Sequence, residues 1–173
     1  MKCKTLKKIA AFALAFGALA QPAWADDVWT VTNYRNGKCL DIRDQDNPYN
    51  NYARIQQWNC SGAWEQEWYL EPIGSSGQYF KLRNPWNGKC MRVRDASPDD
   101  GAQVDQFDCP AIGGLEFTWR LVPMGNYDML VNEAGQRCLT VSGGSSANGA
   151  MIQQWACNGT TAQQWQFHWK YSD

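Results

Sequence analysis

One odd phrase is written three times in this chain. It reads IQQWNCSGAWEQEW at 55–68, VDQFDCPAIGGLEFTW at 104–119 and IQQWACNGTTAQQW at 152–165. The lead-in recurs as well, as YRNGKCLDI, PWNGKCMRV and EAGQRCLTV. A first cysteine stands at 39, 90 and 138, an aromatic at 58, 107 and 155, and a late tryptophan at 68, 119 and 165. Repetition at a fixed period constrains a fold more than composition does, because each copy must make the same local structure and bury it against its neighbours. A period of about 48 residues also occurs in propeller blades. Three blades are too few for a propeller, which has about four to eight. Three like units suit a closed, pseudo-threefold body.

Each copy holds four short runs of strand character, bounded by Gly, Asn, Asp, Ser and Pro. They fall near 28–33, 39–43, 54–58 and 67–71, then 78–83, 90–94, 103–107 and 117–122, then 127–131, 138–142, 151–155 and 164–169. Beyond the first 25 residues no window sustains a 3.6-residue apolar period. The expectation is an all-β domain of about twelve short strands.

The first 25 residues read differently. A basic MKCKTLKK precedes the apolar IAAFALAFGALA, and AWA at 23–25 offers an A-x-A cleavage site. This is the pattern of a secretory signal peptide over 1–25, and the apolar run is short for a membrane span, which needs about 20 residues. Cys3 would leave with that peptide. Residues 26–173 then form one domain, with repeats at about 27–74, 75–125 and 126–173. They carry 12 basic against 17 acidic residues, net −5. That balance disfavours nucleic acid or an anionic lipid surface as partner and leaves a neutral sugar open. The expected location is secreted or periplasmic.

Six cysteines remain, Cys39, Cys60, Cys90, Cys109, Cys138 and Cys157. An even number in an exported chain reads as disulfides, with 15 connectivities open on paper. The simplest solution is one bond per repeat, 39–60, 90–109 and 138–157. Each loop of about 20 residues would contribute about 3 kcal/mol on the chain-entropy account. No C-x-x-C occurs and His168 is the sole histidine, so neither a metal site nor a cofactor is expected.

These motifs, CLDI…IQQWNC…EQEW, CMRV…VDQFDC…EFTW and CLTV…IQQWAC…QQW, resemble the ricin B-type lectin domain, a β-trefoil with Gln-x-Trp repeats. The resemblance covers essentially all of 26–173. It implies a six-stranded barrel closed by three hairpins, with one shallow sugar pocket per repeat. The implied pocket combines an aspartate two residues after the first cysteine, a glutamine and an aromatic in the middle strand, and an Asn-Gln pair before the last tryptophan.

Strand alternation supports that reading from the residues themselves. If Ile55 faces the core, Gln56 and Trp58 share the other face. An aromatic ring packs on the C–H face of a sugar, while polar groups fix its hydroxyls, and a carboxylate makes those hydrogen bonds charge-assisted. Repeat one matches with Asp41, Gln56, Trp58, Glu65 and Gln66, and Trp64 would form a rim. Glu65 replaces the usual Asn. Asp41 could instead serve a turn or an ion pair with Arg43 or Arg54. Repeat two has Arg92, Asp105, Phe107 and Glu116–Phe117 at these places, so a neutral sugar loses its anchor there. Repeat three keeps Gln153, Trp155 and Gln163, but has Thr140 for the aspartate and Ala162 for the Asn. The late tryptophans are expected in the core, and Gln66 and Gln163 could simply satisfy buried backbone groups.

The function expected is a carbohydrate-binding lectin for galactose-type or related sugars. The alternative is a cell-binding or interaction subunit of a secreted complex such as a bacterial toxin, with a protein partner and vestigial sugar sites. No catalytic residue is expected: one histidine supports no Ser-His-Asp set, although carboxylates, notably Asp41 and Glu65, could in principle serve glycosidase chemistry.

Overall fold

The computed structural model describes residues 27–111 and 113–172; the predicted signal peptide lies outside them. They form twelve strands: β1 (Asp27–Asn33), β2 (Cys39–Ile42), β3 (Ile55–Trp58), β4 (Trp68–Ile73), β5 (Tyr79–Arg83), β6 (Lys89–Val93), β7 (Val104–Asp108), β8 (Trp119–Pro123), β9 (Asp128–Asn132), β10 (Arg137–Val141), β11 (Ala150–Trp155) and β12 (Trp165–Ser172). The expected runs coincide with these strands to within a few residues. The largest difference is β12, which continues to Ser172 because β1 pairs with it from Asp27↔Ser172 to Asn33↔Trp165. No helix among the described residues is long and apolar enough to cross a membrane.

Six strands close on themselves. β1 pairs with β4, β4 with β5, β5 with β8, β8 with β9, β9 with β12, and β12 with β1, all antiparallel. Closure leaves this ring no free edge. The other six strands form the hairpins β2–β3, β6–β7 and β10–β11. The hairpins touch one another through β11–β3 and the bridges Arg54↔Asp105 and Gln103↔Gln153. This is the β-trefoil.

The late tryptophans are core, as expected. Trp68, Trp119 and Trp165 are each 0% exposed. Each indole N–H donates to a carbonyl in the hairpin strand of its own repeat: Leu40 O at 3.2 Å, Met91 O at 3.3 Å and Leu139 O at 3.0 Å. A buried indole needs such a partner. Leu40, Ile42, Ile55, Met91, Val93, Val104, Leu139, Val141 and Ile152 complete the hairpin contribution to one continuous core. Disulfides join Cys39–Cys60, Cys90–Cys109 and Cys138–Cys157, with Cα–Cα distances of 5.1, 4.8 and 5.0 Å, one per repeat.

Two polar sets, also threefold, tie the repeats together. Asn33, Asn84 and Asn132 sit at strand ends and donate into the short 3-10 turn of the preceding repeat, to Thr161 O, Trp64 O and Glu116 O at 2.8, 2.7 and 2.9 Å. The glutamine just before the middle aromatic of each phrase reaches a loop of the same preceding repeat. Gln57 Nε2 donates to Ser145 O and Ala147 O (2.8 and 2.9 Å), Gln106 Nε2 to Pro48 O and Asn50 O (2.6 and 2.9 Å), and Gln154 Nε2 to Ser97 O and Asp99 O (2.7 and 2.9 Å). All three glutamines are 0% exposed.

Candidate functional site

The first repeat gathers its predicted residues into one place. Asp41 on β2 lies opposite Gln56 on β3, so the two side chains share a face. Gln56 Nε2 donates to Asp41 Oδ1 at 2.7 Å, and Gln66 Nε2 donates to Asp41 Oδ2 at 2.9 Å. Asp41 is 7% exposed. Burial pushes its carboxyl above the usual carboxylate range, the two amide hydrogen bonds pull it back, and the charge of Asp44 pushes it up again. Each carboxylate oxygen has two lone-pair positions, so the amides fix Asp41 without exhausting it. Arg43 and Arg54 do not pair with it. Both go to Asp46, at 2.8 and 2.7 Å, and Arg54 holds the Asp46 carboxyl down at about 2. The ion-pair role open to Asp41 in the sequence is thereby excluded.

Gln56 and Trp58 lie on one face, as alternation predicts: a Cβ at Gly149 would stand 3.6 Å from the Trp58 ring and 3.9 Å from Gln56 Oε1. They differ in cover. Trp58 is 38% exposed and Gln56 only 4%, because the β10–β11 loop of repeat three lies against this face through Gly149 N to Gln57 O at 2.9 Å. Gln56 Oε1 is buried and finds no hydrogen-bond donor among the described residues.

Gln66 is an anchor. Its two amide protons go to Asp41 and to Asn59 O (3.0 Å), and its carbonyl accepts from Ser61 N (2.9 Å). Glu65, beside it in the 3-10 turn, is half-buried, and burial followed by the charges of Asp44 and Asp41 raises its carboxyl. Trp64 stacks at 5.2 Å on Tyr49, which is 63% exposed. The sequence reading missed Tyr49 and Asp44. Both sit in the β2–β3 connection, where no repeated motif marks them. Gln106 of the second repeat holds Pro48 and Asn50, either side of Tyr49.

Repeat three is a weaker version. Trp155 is 41% exposed, and a Cβ at Gly101 would stand 3.6 Å from its ring. The Thr140 hydroxyl donates to Cys138 O at 2.7 Å and accepts from Gln163 Nε2 at 3.0 Å, so its proton points away from any ligand. The Gln163 amide is fully used, with Ala156 O, Asn158 N and Gly159 N as its other partners. Gln153 is half-buried on β11. Small residues, Gly144 and Ala162, border a polar cleft of about 150 Å³ beside this site.

Repeat two puts an ion-paired cluster where the first repeat has Asp41 and Gln56. Asp105 is 0% exposed and binds Arg92 Nε at 3.0 Å and Arg94 Nε at 2.6 Å. The Arg92 guanidinium lies 4.1 Å from the centre of the Phe107 ring, over the face where a sugar would stack.

The chain is similar to known proteins along its whole folded length. The model of a family described as ricin-type beta-trefoil lectin domain-like matches residues 16–107, 65–155 and 116–172. Beta-galactoside-specific lectin 2 of Viscum album is 26% identical over 155 residues, 84% of this chain and 25% of that protein. The chain thus spans a quarter of that relative's length. Among solved structures, the designed 3-fold symmetric protein ThreeFoil superposes with a TM-score of 0.75 at 31% identity, over 82% of this chain and 97% of that one. The exo-beta-1,3-galactanase 1,3Gal43A from Clostridium thermocellum gives a TM-score of 0.75 at 30% identity, over 83% of this chain and 30% of that one. With three overlapping matches along the trefoil, the chain belongs to the ricin-type beta-trefoil lectin domain-like family.

Proposed function

We propose that the protein is a carbohydrate-binding lectin whose working pocket is in the first repeat, with a galactose-type sugar as ligand. One observation carries this reading: Asp41, fixed by Gln56 and Gln66, stands on the face that also presents the half-exposed Trp58 ring. The carboxylate accepts two sugar hydroxyls, and the indole receives the apolar face. Trp64 and Tyr49 form the rim, and Glu65 adds an acceptor at the mouth. Repeat three is a weaker second pocket, on Trp155 and Gln153, because Thr140 offers a neutral acceptor where repeat one has a charge. The family match and the Viscum album relative, whose name states β-galactoside specificity, support the sugar class.

The site binds rather than cleaves: its best-placed carboxylate is clamped by two amides as an acceptor. The three disulfides fit an oxidising compartment, in keeping with export through the predicted signal peptide. Shallow single pockets bind weakly, so useful avidity comes from several sites engaged together.

The test is a glycan array of the mature protein beside Asp41→Ala and Trp58→Ala. Wild type should bind terminal galactosides and both variants should lose them. Binding that survives both substitutions refutes the site. Absence of all glycan binding, with stoichiometric capture of a secreted protein, would move the reading to an interaction subunit.

A further inference from the structure

The second repeat departs from its copies in more than one lost residue. Where the first pocket has a carboxylate, Asp41, it has a guanidinium, Arg92. Where the first has Gln56, it has Asp105. The third difference lies in the neighbouring loop. Gly149 N donates to Gln57 O and Gly101 N to Gln154 O, each at 2.9 Å, and the residue making the same contact to Gln106 O is Tyr52. Gly149 and Gly101 have φ of +81° and +84°, and Tyr52 has φ of +72°. A bulky residue in the left-handed region is an outlier, and such strain persists where the surroundings impose it, often at functional sites.

The Tyr52 ring stands edge-on to Phe107 at 5.1 Å and within 5.3 and 5.5 Å of the Arg92 and Arg94 guanidiniums. Asp105 takes only the Nε of each arginine. The remaining Nη groups are turned away from it. Arg94 uses Nη2 on Tyr52 O at 3.2 Å. The Arg92 side chain is more than nine-tenths buried, and its Nη2 has no hydrogen-bond partner among the described residues. A buried guanidinium donor without an acceptor is costly, and an oxygen anion would satisfy it best. Two guanidiniums against one carboxylate leave the cluster one positive charge in excess.

We propose that the second repeat is a site for a sugar that bears a carboxylate, such as a uronic acid. The guanidiniums of Arg92 and Arg94 receive the carboxylate, Asp105 positions them, and the exposed Tyr52 ring packs against the sugar ring. Phe107, already covered by Arg92, supports the guanidinium from behind. The inference is independent of the first pocket.

The test is an NMR titration of the mature protein with D-galacturonate, D-glucuronate, D-galactose and acetate. One or both uronates should shift the Tyr52 and Phe107 signals at millimolar concentration. Galactose should leave those signals in place, and acetate should bind at least about tenfold more weakly than the uronate. Arg92→Gln and Arg94→Gln should each weaken uronate binding about tenfold. Arg94 is a third exposed, so its variant tests the site even where loss of Arg92 unfolds the chain. Asp41→Ala should leave the uronate shifts unchanged. The proposal is overturned if neither uronate shifts Tyr52 or Phe107, if acetate or galactose matches the uronate there, if Arg94→Gln binds as wild type does, or if Asp41→Ala abolishes the shifts. Galactose shifts at Trp58 report separately on the first pocket.

Discussion

Asp41→Asn separates what the first pocket does for the ligand from what it does for the fold. Hydrogen bonds to a charged group contribute about 1.5–3 kcal/mol and neutral ones about 0.5–1.5 kcal/mol. Replacing a carboxylate that accepts two sugar hydroxyls by an amide should therefore weaken binding by about 2 kcal/mol, about 30-fold. Stability should hardly change. The new amide cannot accept from both Gln56 and Gln66, but Gln56 Oε1 has no partner among the described residues, so a flip of that amide lets it accept from the new N–H. The sign of the pH effect follows from burial, which raises the Asp41 carboxyl. A raised folded-state value gives a stabilising contribution that is full at low pH and is lost as pH rises through that value. Wild type should thus gain stability relative to Asp41→Asn on acidification. Its sugar affinity should fall over the same range, beginning above the usual carboxylate values, because the ionised form is the stronger acceptor. Burial and Asp44 raise Glu65 in both proteins, and the variant removes only the smaller push from Asp41, so the difference between them reports mainly on Asp41. Calorimetric titration of the sugar and chemical denaturation at several pH values measure both effects. Affinity retained within about threefold, or a wild-type stability that falls relative to the variant on acidification, would refute the reasoning.

Two other outcomes follow from the threefold framework. Gln57→Ala leaves Ser145 O, Ala147 O and the Asn36 amide without their partner, whereas Gln154→Ala strands two carbonyls and removes an Oε1 that is already unpaired; denaturation should show the first costing about 1–3 kcal/mol more than the second, and equal losses contradict the accounting. Gln136, with φ of +51°, occupies the place of Gly37 and Gly88, so Gln136→Gly should raise stability by about 0.5–1 kcal/mol in the same assay, and a fall shows that its contacts to Arg120 and Glu133 outweigh the strain.

The absent partner of Gln154 shows how far a single copy of a repeat can be read. Asn36 Nδ2 and Asn87 Nδ2 donate to Gln57 Oε1 and Gln106 Oε1 at 3.2 and 2.9 Å. The matching residue in repeat three is Gly135, where a Cβ would crowd Gln154 and Pro98 at 3.0 to 3.2 Å. Nothing in EAGQRC announces that crowding, since Pro98 comes from another repeat.

The all-β, pseudo-threefold body, one disulfide per repeat and the buried tryptophans were written in the chain itself, and the resemblance to the ricin B-type family added the trefoil. Strand alternation, turn residues and a period of about 48 residues are local or repetitive signals, and a repeated unit must repeat its burial. The placing of Asp41 after its cysteine and of Gln56 beside Trp58 was legible for the same reason. Tertiary structure decided the rest. Gln57 and Gln106 clasp loops 88 and 58 residues away in sequence, Arg43 and Arg54 turn to Asp46 rather than Asp41, and Tyr52 leans onto Phe107 of the next repeat. The Arg–Asp46 pairs are settled by the turn of the β2–β3 connection, 3 and 8 residues apart, whereas the glutamine clasps and the Tyr52 contact need partners from other repeats, brought within hydrogen-bond or ring-stacking distance only when three hairpins close around one axis.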